Sequence, residues 1–197
     1  MSFRPSLVLA IILAAAAPVA AQFQSEGYKF LQAVKDSKNN EVIAALNKPG
    51  STVVNTKDVT SGEAALHIVA RRGDVAYTAF LLQKGADPNI RDGRGNTPLI
   101  LAIDSGNGEL VPILLSGKAS PNLATGAGVT PLIRAVQMRN TDAVRSLLAV
   151  KANPDQKDYS GASARDYAER DARAGVIAKL FADTPRQSRA AVAGPKL

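Results

Sequence analysis

Cysteine is absent from the 197-residue chain. That excludes a disulfide framework, thiol chemistry, a thiolate metal site and a lipid-modified N-terminal cysteine. Tryptophan is missing too, and aromatic residues make up only 5% of the chain, so large rings cannot dominate the core. His67 is the only histidine. A metal site would therefore rest on carboxylates, and none cluster at ligand spacing. A Ser-His-Asp triad would need the same single imidazole. The stretch Asp87-Pro88-Asn89-Ile90-Arg91-Asp92-Gly93 has the outline of a calcium loop, but Arg91 stands where a third oxygen ligand belongs and the closing Glu is missing. Gly93-Arg94-Gly95 and Gly106-Asn107-Gly108 lack the lysine and the preceding strand of a phosphate loop. No catalytic constellation and no cofactor site emerge, and a non-enzymatic protein is expected.

What the chain does have is a period. Leu66, Leu99 and Leu132 recur every 33 residues. So do Leu81-Leu82, Leu114-Leu115 and Leu147-Leu148, then Ala86, Ala119 and Ala152, then Pro88, Pro121 and Pro154. Such a repeat marks stacked units, each burying its apolar face only against its neighbours. In the unit Asp92–Ala124, Thr97 is placed to cap a helix and Pro98 to occupy its first position. Leu99, Ala102 and Ile103 share one face at i, i+3 and i+4, and Gly106 can close the helix in the left-handed conformation. Leu110, Val111, Leu114 and Leu115 face inward from a second helix, which Pro112 is expected to shorten or bend because it lies beyond the first turn. Asp92-Gly93-Arg94-Gly95 reads as the tip of a hairpin-like loop.

Thr97-Pro98-Leu99, Thr130-Pro131-Leu132 and Ala65-Leu66-His67 with Ala70 resemble the ankyrin signature T-P-L-H-x-A, and Gly85-Ala86-Asp87-Pro88-Asn89 resembles its G-A-D-x-N turn. The resemblance implies an all-α ankyrin-repeat solenoid of helix-turn-helix units. About three full repeats are expected, with degenerate caps at both ends, the units spanning about 27–58, 59–91, 92–124, 125–157 and 158–183. It also implies that His67 hydrogen-bonds backbone between adjacent loops. In the second unit the inner helix is expected over Glu63–Arg71 and the outer over Val75–Lys84; in the fourth, over Val129–Gln137 and Thr141–Val150. In the last unit Arg165 takes a core leucine position, which suits a cap whose far side is wet.

Residues 1–21 read as a secretory leader: Arg4, an apolar run from Leu7 to Ala17, then Pro18-Val19-Ala20-Ala21. The run is shorter than the ~20 residues that span a bilayer. Cleavage after Ala21 leaves domain 22–183, and in a Gram-negative host predicts a periplasmic or secreted protein without stable membrane insertion. Residues 184–197 read as a disordered basic tail. Formal charge is +7, of which Arg4, Arg186, Arg189 and Lys196 supply four. The repeats then carry too little positive charge for nucleic acid, and a monomer is expected.

Function is therefore expected on the concave face. The resemblance implies a protein partner held there by the ends of the inner helices, Arg71, Arg72, Asp104, Ser105, Gln137, Met138, Arg170 and Asp171, and by the loop tips Arg91, Arg94, Asn96, Lys157 and Tyr159. Arg71, Arg72, Arg91 and Arg94 would gather at one end and favour an acidic patch on that partner. Exported bacterial ankyrin proteins of this length and repeat count include accessory factors of catalases and peroxide defence, which gives a second reading. Direct haem handling is disfavoured, since the available ligands are His67, Met138 and a few tyrosines. A third reading is electrostatic attachment to membrane or cell-wall polymer through the tail, for which three charges are marginal.

Overall fold

A computed structural model describes Ser25–Ala182 and Thr184. The expectations for the leader and for the tail beyond Thr184 lie outside the described residues. Within them the chain forms five helix pairs. The inner helices are α1 (Glu26–Lys35), α3 (Ala65–Arg72), α5 (Pro98–Ser105), α7 (Pro131–Gln137) and α9 (Ala164–Arg170). The outer helices are α2 (Asn39–Leu46), α4 (Val75–Gln83), α6 (Leu110–Ser116), α8 (Thr141–Ala149) and α10 (Gly175–Ala182). Each inner helix packs on the next inner helix and on its own outer partner, which makes one continuous stack. Among the described residues there is no strand beyond the isolated bridges Lys57–Ala64 and Lys157–Ser163.

The repeating threonines start the inner helices as their chemistry requires. The Thr97 hydroxyl accepts the Ile100 N–H at 3.4 Å and that of Thr130 the Ile133 N–H at 3.1 Å, with Pro98 and Pro131 in the first turn. Gly73 and Gly106 close α3 and α5 at φ +75° and +72°, a conformation a side chain resists. Expected boundaries shift slightly. Helix α3 begins at Ala65, not Glu63, because Ala64 is extended. Pro112 is the third residue of α6, not beyond its first turn; its missing N–H is one of the donors that no helix pairs. The proline shortens rather than bends: α6 has seven residues, while α4 and α8 each have nine.

The core runs the length of the stack. Leu66, Leu99 and Leu132 are at most 1% exposed, and Val34, Ala70, Ile103 and Ala135 fill between them. Arg165 differs from expectation: it is only 7% exposed. Its guanidinium reaches Asp155 at 2.8 Å and donates to the carbonyls of Phe181 and Thr184, each at 2.5 Å. A charge replaces leucine here because it ties the closing turn of α10 to the last inner helix. At the other end, the first loop is one residue longer than the next. There Asp58 N–H bonds to Glu63 O, while the next loop closes from Asp92 to Asn96.

Leu99→Ala empties a site bounded by helices α3 and α7 and is expected to cost ~2–5 kcal/mol. Urea unfolding of purified protein measures it, and an unchanged midpoint would show that the stacking register is wrong.

Candidate protein-binding groove

The loops between units are fingers built on one polar residue each. Asp92 Oδ1 accepts the N–H groups of Arg94 and Asn96 at 2.9 and 2.8 Å. Asp158 does the same for Ser160 and Ala162, and the Thr125 hydroxyl for Ala127 and Val129. Burial pulls the Asp92 carboxyl upward, but hydrogen bonds from the Asn96 amide and the backbone outweigh it and hold it below the ordinary range. At Asp58 the Ser61 N–H and then Lys35 act in the same direction, and its carboxyl lies far below the usual value.

Successive fingers are laced together. Gly93 N–H donates to Ser61 O at 2.8 Å, Gly126 to Arg94 O at 3.2 Å and Tyr159 to Ala127 O at 3.2 Å. The approach leaves no room for a side chain: a Cβ on Gly95, at φ +77°, would stand 2.6 Å from Gly126 N. A second ladder runs behind the fingers. Asn55, Asn89 and Asn122 each accept from the next unit's backbone, at Asp87, Ser120 and Asn153, over 2.7–2.8 Å.

His67 joins the finger layer to the helices. It is fully buried, with Nδ1 accepting from Ala64 N–H and Nε2 against Asn96 O, both at 3.1 Å. An amide can only donate and a carbonyl only accept, so the proton sits on Nε2. Both nitrogens are engaged, and the ring offers no lone pair to a metal or haem. Burial lowers its basicity, only partly offset by Asn96 O and by the charges of Asp92 and Glu63.

Between the fingers and the inner helices lies a groove of about 830 Å³. Arg71, Asp104 and Gln137, one period apart, line it as expected, as do Arg94 and Asn96. The other expected residues are elsewhere. Arg72 donates to Val34 O and Ser37 and pairs with Asp74, so it bolts α3 to the first unit. Arg91 is spent on Ala124 O at 2.7 Å. Ser105 is bonded within its own helix end and to Asn107. Met138 and Tyr159 are exposed, at 46% and 83%, and Lys157 is exposed as well; none of the three lines the groove. Nor do Arg170 and Asp171, the latter pairing with Arg139 at 2.6 Å. The four arginines are therefore not one cluster.

Sequence reasoning missed Glu63, Arg134 and the apolar floor of Ile100, Leu101 and Val129. A shift of one period from Leu101 to Arg134 would have flagged the latter. Both new charges are paired: Arg71 with Glu63, and Arg134 Nε with Asp104 Oδ1 at 2.5 Å. Three cations thus face three anions, Glu63, Asp92 and Asp104, and each anion is bonded within the protein. Among the described residues only the guanidinium of Arg94, exposed on its finger, lines the groove as a cation without a partner.

The imidazole makes stability depend on pH. An unfolded His67 takes up its proton near pH 6.5, while the folded ring resists it, so acid favours the unfolded chain. Folding stability is expected to fall as pH drops from 7 towards 5, fully present above pH 6.5 and lost through the lower folded value. Melting curves across that range test it: His67→Asn should be less stable at pH 7 and should lose this slope.

A family model described as ankyrin repeats (3 copies) matches residues 30–125 and 80–158. Curated relatives include human oxysterol-binding protein-related protein 1, 38% identical over 36% of this chain and 8% of its own length. A putative ankyrin repeat protein of Pyrobaculum aerophilum is 44% identical over 25% of this chain and 19% of its own length. Mouse ankyrin repeat domain-containing protein 46 is 53% identical over 19% of this chain and 17% of its own length. The chain spans less than a fifth of the length of each of these relatives. The match of the family model over the stacked core, with the finger and helix geometry above, makes this chain a member of the ankyrin-repeat family.

Proposed function

We propose that this chain is an exported binding module, acting in the periplasm of a Gram-negative host, that grips a protein partner in the groove between its fingers and inner helices. Ankyrin repeats are protein–protein interaction modules and characteristically non-enzymatic. The observation that carries the reading here is the contrast between Arg94 and its surroundings. The other charges of the groove are consumed by internal pairs, whereas Arg94 stands exposed at its lip. An arginine held that way is a ready anchor for a carboxylate. The apolar floor of Ile100, Leu101 and Val129, with Gln137 beside it, suits a segment of mixed polarity laid along the stack rather than a highly acidic surface, because the lining is balanced in charge.

Export rests on the leader pattern of residues 1–21, and intact mass of protein recovered from its host tests it: a chain starting at Gln22 is expected, and a Met1 start overturns export by cleavage. Pull-down from extract of that compartment supplies the partner, and titration then tests the groove. Arg94→Glu is expected to weaken binding about tenfold or more at an unchanged melting temperature, while Arg145→Glu, on outer helix α8, binds as wild type. Equal weakening by both variants would remove the groove from the interaction.

A further inference from the structure

The third finger is nearly bare: its tip is Gly126, Ala127 and Gly128. Its neighbours are bonded to it from both sides. Gly126 N–H donates to Arg94 O, and Ala127 O accepts from Tyr159 N–H, both at 3.2 Å. Those two bonds, with two residues of chain between them, place the backbones of Arg94 and Tyr159 at most about 13 Å apart. The ring of Tyr159 comes back over the third finger: a Cβ on Gly128 would stand 2.8 Å from its Cδ1 and 3.1 Å from its Cε1. Gly128 is buried there, yet Tyr159 stays 83% exposed. A cation on one side and an aromatic face on the other flank a gap whose floor is backbone.

The ladder itself asks for neither side chain. At the position of Tyr159 the second and third fingers carry Gly93 and Gly126, where a Cβ would stand 2.8 and 2.9 Å from the carbonyl oxygen of the previous finger. Tyr159 makes the same backbone bond and adds a ring whose hydroxyl has no partner among the described residues. The half-buried Tyr167, by contrast, donates its hydroxyl to Asp158 at 2.7 Å. The donors of the tip are spent within the protein. Gly126 N–H goes to Arg94, those of Ala127 and Val129 to the Thr125 hydroxyl, and that of Gly128 to Thr125 O. A phosphate therefore finds no nest of N–H groups in the gap. The exposed Gly126 keeps a carbonyl that accepts no hydrogen bond among the described residues. A ligand that fits must bring N–H donors as well as a negative charge.

We propose that this gap seats an extended segment of a protein partner. The segment carries a carboxylate for Arg94 and, no more than about four residues along an extended chain, an aromatic or proline ring for Tyr159. Arginine–carboxylate pairs and offset aromatic pairs supply the attraction, and a backbone N–H between them faces Gly126 O. A single-stranded nucleic acid would also stack on such a ring. It would, however, bring a phosphate at every residue, and the adjoining groove sets Glu63, Asp92 and Asp104 against its cations. The inference rests on the reading of Arg94 as an anchor, and adds to it a second contact outside the groove and a spacing.

Selection of displayed random dodecapeptides on the purified chain tests it. Enriched sequences are expected to share an acid and a ring residue at that spacing. A synthetic peptide of the enriched pattern is then titrated: Tyr159→Ser is expected to weaken it about tenfold or more at an unchanged melting temperature. Tyr159→Phe, which keeps the ring, and Arg145→Gln should bind as wild type, while Arg94→Gln should weaken binding and lose its salt dependence. Peptides that need Arg94 but bind Tyr159→Ser as wild type overturn the gap and spare the groove; peptides indifferent to both variants overturn both. The gap is also overturned if no peptide is enriched, if Tyr159→Ser loses binding only as its melting temperature falls, or if an oligothymidylate binds more tightly than any such peptide.

Discussion

Everything in this molecule depends on the apolar contact between one inner helix and the next. A unit of two short helices cannot bury its own leucine: Leu99 is fully enclosed only because α3 covers it on one side and α7 on the other. Helices of seven to ten residues are too short to be stable alone in water, so their persistence comes from that stacking. The chain meets the requirement with alanines at the contact points, such as Ala70, Ala102 and Ala135, all fully buried, which lets backbones approach closely.

Close stacking then sets a problem for polar groups, and the ladders are its solution. Wherever two units meet, their loops bring backbone N–H and C=O groups out of easy reach of water, and a buried group left unpaired costs free energy. Asn55, Asn89 and Asn122, the finger-to-finger bonds and His67 satisfy them one unit at a time. The same need consumes charged side chains. Arg91 reaches a carbonyl of the next unit, Arg72 one of the previous unit, and Arg165 two at the end of the stack.

The stack was legible in the sequence because periodicity, capping threonines and left-handed glycines act locally. Thr97, Thr130 and Gly106 each do what their position implied. The fate of long side chains was not legible in the same way. Arg71 and Arg72 are adjacent, yet one lines the groove and the other crosses to the first unit, since 100° of helix rotation separates them and a partner 35 residues away decides the second. Arg165 was expected to suit a cap whose far side is wet; the carbonyls that hold it belong to a helix end whose position no local pattern specifies. Pro112 showed the converse: its effect was legible, but the helix start moved to accommodate it.

A repeat supplies the same geometry several times, so recognition must come from where equivalent positions differ. The finger position held by Arg94 is Ser61, Ala127 and Ser160 in the other units, and their backbone carbonyls or amides carry on the ladder whatever the side chain is. The fold thus leaves that side chain unconstrained while fixing the backbone around it: Arg94 O accepts from Gly126 of the next finger, and the adjacent Gly93 N–H donates to Ser61 O of the previous one. The outer-helix turns behave likewise: Gly85 satisfies the backbone, and Lys118 and Lys151 occupy the same place at a conformational cost. In both cases the scaffold would be as well or better served by a small residue. Arg139, at φ +52°, shows that such a turn can also hold a charge for the fold itself, since it pairs with Asp171.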